Sequence, residues 1–198
     1  MKINPVVSLS DKEIDDIVRK YHFLPDKRAE IAGVFHTIEN IIKPVIYYET
    51  DDKLTGFDFI NNEMHQKIIY CVMSLGRYVD DIQDVLVKAG DLYTATVVDD
   101  ICLEILMKMY SVIAGEVSQR YNMWIERYLF AGEHFEIEKM PLIINAVGAQ
   151  AEVTCNEFYN LQPVKTTVLC CILSDKSKEC SNKICANCSN VNCDMREC

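Results

Sequence analysis

This 198-residue chain contains no run of about 18 consecutive apolar residues, and no long apolar segment follows its first residues. A membrane-spanning helix requires such a run, and a secretory signal peptide requires such a segment. The chain instead turns acidic early, between Asp11 and Asp16. We therefore expect a cytoplasmic protein without a membrane partner, in a compartment where cysteine thiols stay reduced.

Clustered basic residues are also missing. The chain has 20 Lys and Arg against 30 Asp and Glu, which gives a formal net charge of −10. Nucleic-acid-binding surfaces concentrate positive charge, so we expect no nucleic acid among the partners. An acidic surface suits a cationic partner, but it serves solubility equally well.

Common catalytic signatures are absent as well. The chain has no G-x-G-x-x-G, P-loop or G-x-S-x-G motif, and no two histidines lie at zinc-ligand spacing. Asp99 and Asp100 are adjacent, so on a helix their side chains point about 100° apart and cannot share one ligand. Asp80, Asp81 and Asp84 stand near a predicted helix N-terminus, where the helix dipole stabilises acids. The sequence therefore indicates no self-contained hydrolase, kinase or dehydrogenase.

The first half of the chain shows clear helix and strand patterns. Ser10 and Glu13 form a capping-box pattern, which predicts a helix to about Lys20. A second helix is predicted from Pro25 towards Pro44, since proline disfavours helix in the residue before it. Its apolar face is predicted to hold Ile31, Val34, Phe35, Ile38, Ile41 and Ile42. Continuous apolar runs predict strands at 45–48 and 68–73, and Gly76 ends the second run.

The rest of the globular part is predicted to hold several helices, and its end is predicted to form strands. One helix carries Val79, Ile82, Val85 and Leu86 inward and ends at Gly90. A long helix from Asp91 past Val112 buries a stripe made of Leu92, Ala95, Val98, Cys102, Ile105, Leu106 and Met109. Further helices are predicted at 117–129 and 137–147, followed by a strand, a turn at Gln162-Pro163 and a second strand at 166–173. Helices mixed irregularly with a few strands predict an α+β fold, with residues 91–113 forming one of its longest helices.

The ten cysteines fall into two groups. Five lie in apolar segments and are assigned to the core, because a buried free cysteine behaves as a small hydrophobic residue: Cys71, Cys102, Cys155, Cys170 and Cys171. The other five lie in a polar stretch that cannot bury a core of its own. We therefore predict a globular domain at residues 1–174 and a cysteine-rich tail at residues 175–198.

The tail cysteines have metal-ligand spacing. Cys185 and Cys188 form a chelating C-x2-C pair, Cys193 is a third ligand, and Cys180 or Cys198 completes four, with Cys180 the preferred choice. Four thiolates suit either zinc or an iron–sulfur cluster. The alternative is a tail of reduced thiols that binds no metal.

Five segments, taken in order, resemble the reactivation domain of cobalamin-dependent methionine synthase in its short stand-alone form. They are DKEIDDIVRKYHF with the later KPVIYYE, CVMSLGRYVDDIQDVL, GDLYTATVVDDICLEIL, EFYNLQPVKTTV, and CANCSNVNCDMR in the tail. The resemblance covers about residues 10 to 196. No single segment is specific, and the resemblance depends on their order and spacing.

The resemblance implies a C-shaped α+β domain around a twisted antiparallel sheet. It also implies binding of S-adenosylmethionine, which such a domain presents to a cobalamin-binding protein whose cobalt has become inactive Co(II). A one-electron reduction coupled to methyl transfer then restores methylcobalamin. The chain is accordingly expected to be part of a methyltransferase system, with a corrinoid protein as its partner.

The resemblance also indicates ligand contacts, namely Arg127, Gly132, Glu157 and Lys165. The family marks its methyl-donor site with R-x-x-x-G-Y, but here Arg127 and Gly132 are one residue further apart and no tyrosine follows. An alternative function therefore stays open, in which the chain has lost S-adenosylmethionine binding and acts through its tail as a metal-binding electron-transfer or scaffold protein.

Overall fold

The structure, a computed structural model, describes residues 1–53, 57, 60 and 67–175. This part of the chain contains five α-helices: α1 (Asp11–Lys20), α2 (Arg28–Ile38), α3 (Tyr78–Lys88), α4 (Leu92–Tyr121) and α5 (Met140–Ala146). Its strands are β1 (Lys2–Ile3), β2 (Val45–Thr50), β3 (Ile68–Ser74), β4 (Trp124–Phe130), β5 (Thr154–Cys155), β6 (Leu161–Gln162) and β7 (Thr166–Ser174). None of these helices combines the length and the apolar character needed to cross a membrane.

The strands form one antiparallel sheet of five strands and a separate two-stranded hairpin. The sheet order is β1-β2-β3-β7-β4, and β5 pairs with β6 in the hairpin. The predicted α+β class with an antiparallel sheet is confirmed. The predicted division at residue 174 remains a prediction.

Both faces of the sheet are buried, and this explains the continuous apolar runs in its central strands. Successive side chains of a strand point to opposite faces. Ile69, Cys71 and Met73 of β3 therefore join a large core cluster beneath α1, α2 and α4. Tyr70 and Val72 join a smaller cluster that includes apolar side chains of α5.

Several local predictions are confirmed. The Ser10 hydroxyl accepts a hydrogen bond from the Glu13 N–H, the Glu13 carboxylate accepts one from the Ser10 N–H, and α1 ends at Lys20. The long predicted helix is α4, the longest helix of the described residues, and the Asp91 side chain caps its N-terminus.

The predicted helix at 117–129 is wrong. The α4 helix ends at Tyr121, where Asn122 adopts the left-handed conformation with φ of 51°. Residues 124–130 form β4, which pairs with β7. The strand register shifts between Ile125 and Arg127, and this irregularity interrupts the alternation by which a strand is recognised in a sequence.

Smaller errors concern which residues face the core. The α2 helix ends at Ile38 rather than near Pro44, and Ile41 is only partly buried. Val85 is 66% exposed and Leu92 is 62% exposed, although both were predicted to be buried. In α3 the inward line consists of Val79, Ile82 and Leu86, and Val85 lies outside it because adjacent helix residues differ by about 100°.

The five core thiols behave largely as predicted. Four are fully buried within the two clusters, namely Cys71, Cys102, Cys170 and Cys171. Cys155 is only partly buried, because it lies on the small hairpin at the margin of the smaller cluster.

Candidate functional site

A cavity of about 630 Å³ lies where the turn between β3 and α3 meets the β5–β6 hairpin. It is lined by Lys43, Ser74, Gly76, Arg77, Tyr78, Asp80, Asp81, Asp84, Ala151, Glu152, Thr154, Gln162, Pro163 and Val164. Three of the segments that carry the family resemblance thus contribute to one cavity: the residues around Lys43, those around Gly76, and those around Pro163.

Close approach of two backbones builds one wall of this cavity. Gly76 adopts φ of +85°, which side chains disfavour, and a Cβ placed there would lie 3.3 Å from the Cβ of Lys43. The Lys43 N–H donates to the carbonyl of Leu75 at 2.8 Å. The Lys43 ammonium lies 4.7 Å from the centroid of the Tyr78 ring, a cation–π distance.

The cavity presents charges of both signs. Its cations are Lys43 and Arg77, and within the described residues neither forms an ion pair. Two of its acids do have cationic partners: Glu152 lies 2.7 Å from the Lys2 ammonium, and Asp84 lies 3.7 Å from the ammonium of Lys88.

Asp80 connects α3 to the segment before β7. Its carboxylate oxygens accept hydrogen bonds from the Val164 N–H at 3.0 and 3.2 Å. Burial raises the pKa of Asp80, the Val164 N–H opposes that shift, and the neighbouring charges of Asp81 and Asp84 add to it. The Asp80 carboxylate is therefore used in the hydrogen bonds that link these two parts of the cavity wall.

Lys165 directly follows the last lining residue and faces α4. Its ammonium lies 2.6 Å from Asp99, and its side chain is only 14% exposed. Gln83 donates to the same carboxylate at 2.8 Å. Burial raises the pKa of Asp99, but the hydrogen bonds from Lys165 and Gln83 outweigh burial and leave that pKa below its ordinary value.

The structure separates the four predicted ligand contacts into two places. Glu157 is exposed on the loop of the β5–β6 hairpin, and Lys165 lies just before β7, so both are close in sequence to cavity-lining residues. Arg127 is exposed on the edge strand β4, opposite Ile172 of β7. That position is seven residue steps beyond Lys165, about 23 Å along an extended strand.

Gly132 lies in a tight loop after β4. It has φ of +80°, and its N–H donates to the Phe135 carbonyl at 2.7 Å. In the same loop, the His134 N–H donates to the Phe130 carbonyl at 2.9 Å, and the Phe130 N–H donates to Nδ1 of His134 at 3.2 Å. The backbone donors of this loop are therefore largely used within it.

Sequence reasoning missed Lys43, Arg77, Tyr78 and Glu152 as cavity residues. The first three lie in or beside segments that carry the family resemblance, and Gly76 after a buried strand was a signal for a close backbone approach there. Nothing in the sequence pointed to Glu152, whose position depends on how the hairpin packs.

The predicted metal ligands Cys180, Cys185, Cys188 and Cys193 lie outside the described residues, so the metal site stays a prediction. Among residues 1–53, 57, 60 and 67–175, no group of three or more His, Cys, Asp or Glu side chains is arranged to hold a metal ion.

The fold is similar to that of a solved structure, the MetH reactivation domain bound to AdoHcy. The TM-score is 0.51, and the match covers 92% of this chain and 80% of that chain at 10% sequence identity. At this identity the likeness shows the fold alone. No protein-family profile matches the chain, and no curated protein sequence matches it either.

Proposed function

We propose that this chain is an accessory component of a cobalamin-dependent methyltransferase of the methionine synthase type. It docks on a cobalamin-binding protein and supports reductive remethylation of the inactive cob(II)alamin state. The observation that carries the proposal is the fold, which is similar to that of a reactivation domain solved with AdoHcy. The order of the five family-like segments, noted independently from the sequence, supports the same function.

The proposed methyl donor is S-adenosylmethionine, which supplies a methyl group and leaves S-adenosylhomocysteine, while an external reductant supplies the one electron that cob(II)alamin needs. The cavity suits a ligand of this class. Its volume of about 630 Å³ lies within the range of about 300–1,000 Å³ typical of small-molecule sites. Its cations and acids match a molecule that bears both a carboxylate and an ammonium group.

The docking surface is proposed to run along the segments 127–133 and 157–165, which contain the predicted contacts Arg127, Gly132, Glu157 and Lys165. These segments lie at β4 and at the hairpin with the start of β7. Arg127 and Lys165, at the outer ends of the two segments, are about 23 Å apart along the strand direction, a span that suits a large partner better than one small ligand.

A spectroscopic assay tests this function. A corrinoid methyltransferase in the cob(II)alamin state is mixed anaerobically with S-adenosylmethionine and a one-electron reductant, with and without this chain. We expect methylcobalamin to form faster when the chain is present, and the two proteins to co-purify. If no corrinoid protein of the host co-purifies and none changes its cob(II)alamin spectrum, the proposed function is wrong.

The second candidate function is metal-based electron transfer or scaffolding through the tail, which the C-x2-C spacing of Cys185 and Cys188 favours. Anaerobic purification with elemental analysis distinguishes the outcomes. Bound iron with visible absorption indicates a cluster, bound zinc indicates a structural tail, and freely titratable thiols without metal exclude this function.

A further inference from the structure

We infer that the cavity beside α3 holds the amino-acid end of a zwitterionic ligand, with the ligand carboxylate at Arg77 and Lys43 and its ammonium at Asp81. The adenosyl part of the ligand depends on the proposed function. The amino-acid part depends only on the cavity, and it differs from the sequence-based expectation that placed the ligand at Arg127 and Gly132.

The two cations provide the carboxylate side. Lys43 and Arg77 flank the Gly76 turn, and the Lys43 ammonium is positioned over the Tyr78 ring. Neither cation is paired with an acid among the described residues. A guanidinium pairs with a carboxylate through two parallel hydrogen bonds, and so Arg77 is the stronger candidate for the direct contact.

Asp81 is chosen as the contact for the ligand ammonium because the other three acids of the cavity already have partners. Asp80 accepts the Val164 N–H, Glu152 pairs with Lys2, and Asp84 lies near Lys88. Asp81 is the cavity acid for which no side-chain partner is found among the described residues, and it is exposed.

Arg77 and Asp81 are spaced to bind the two ends of an α-amino acid. The Asp81 N–H donates to the Arg77 carbonyl at 3.3 Å, so the two residues lie one helical turn apart. Residues at this spacing have Cβ atoms about 5–6 Å apart. Their side chains do not form an ion pair with each other, and a ligand carrying both charges can therefore bridge them.

The β4 region offers less to such a ligand. Arg127 is exposed on an edge strand, and the loop around Gly132 uses its backbone N–H groups in its own hydrogen bonds. An oriented carboxylate site needs donors that are not already committed, and most of the donors in this loop are committed.

Amide NMR spectra of the full chain locate the ligand. The probes are S-adenosylhomocysteine, free methionine, and methylthioadenosine, which lacks the amino-acid end. We expect the first two to shift the amides of residues 76–81 and 151–154. Methylthioadenosine is expected to leave residues 77–81 unshifted. If no amino-acid probe shifts these amides, or if the shifts centre on residues 127–135, the inference is wrong.

Charge-neutralising variants test the assigned contacts by calorimetry. Arg77→Gln is expected to weaken S-adenosylhomocysteine binding at least tenfold and leave methylthioadenosine binding unchanged, while Arg77→Lys retains part of the affinity. The matched control is Arg19→Gln, which removes a cation that is 80% exposed on α1. This variant should change the affinity for neither ligand. A tenfold loss with Arg127→Gln and none with Arg77→Gln would overturn the assignment.

These outcomes separate the inference from the proposed function. Amino-acid binding at the cavity without remethylation of cob(II)alamin leaves the inference standing and removes the function. Conversely, an Arg77→Gln variant that binds S-adenosylmethionine with wild-type affinity and still supports remethylation removes the inference and leaves the function standing.

Discussion

The two faces of the five-stranded sheet are stabilised by different means. The face beneath α1, α2 and α4 carries the large cluster, and the 30-residue α4 provides much of it. The opposite face is covered by the seven-residue α5, whose N-terminus has no side-chain cap, and by short segments around the hairpin. The cavity lies at the border of the two, between α3 and the hairpin. Local opening is favoured where few buried contacts exist, so we expect the second face to be the more adaptable side of the site.

The largest loss of stability is expected on the first face of the sheet, the one beneath α1, α2 and α4. Ile105 in α4 is fully buried, and Ile105→Ala should lower the free energy of unfolding by about 3–5 kcal/mol, since a cavity remains in a rigid core. The control is Leu103→Ala in the same helix, where the side chain is 37% exposed. Urea unfolding of both variants measures the difference, and equal losses would contradict this account of α4.

A smaller loss of stability is expected on the second face of the sheet, the one covered by α5. Ile143 in α5 is also fully buried, but Ile143→Ala should cost about 2–3 kcal/mol because a short helix can move to fill part of the space. Leu142→Ala, at a side chain that is 42% exposed, is the control. A cost above that of Ile105→Ala would reverse the ranking of the two faces.

The N-terminal cap of α1 provides a further test of how the first face is stabilised. Ser10→Ala removes the cap of α1 and should destabilise the protein by about 1 kcal/mol, whereas Ser8→Ala, two residues earlier and exposed, should have little effect. Thermal unfolding of both variants is the measurement. If the two changes are equivalent, the capping box contributes nothing to the stability of the first face.

Glu13 makes part of this contribution dependent on pH. Burial raises its pKa, but hydrogen bonds from the Lys108 ammonium and from the side chain and backbone of Ser10 outweigh burial and lower the pKa to about 2, from an ordinary value of 4.5. The stabilisation is therefore complete above pH 4.5 and is lost as the pH falls towards 2. In Glu13→Gln, the decrease in stability between these pH values should be smaller than in the wild-type protein.

An effect of the opposite sign is expected at Asp100, whose charge destabilises the folded state. Burial, together with the nearby charge of Asp99, raises its pKa to about 6, from 3.8. The folded state therefore keeps a proton that the unfolded state has released, and stability falls as the pH rises from 3.8 to 6. Asp100→Asn should raise the melting temperature at pH 8 and change it little at pH 3. A variant that is less stable at pH 8 would show that the Asp100 charge is favourable.

The elements that the sequence predicted well are those that local chemistry determines. The capping box at Ser10, the inward stripe of α4 and the apolar runs of β2 and β3 each depend on residues within one helix or strand. Periodicity and capping act over three to four residues, so they are visible without the fold. These patterns also predicted the α+β class.

The features that only the tertiary structure decided depend on contacts between residues that are distant in the sequence. β4 is a strand because β7 pairs with it some forty residues later, and its register shift hides the strand pattern. Lys43 reaches Tyr78 because the backbone approaches Gly76 closely. Asp99 meets Lys165 because α4 packs beside the start of β7. Local propensity carries no information about such pairings. The sequence by itself therefore determined most of the helices, the central strands and the fold class, while packing placed the charges that make the candidate site.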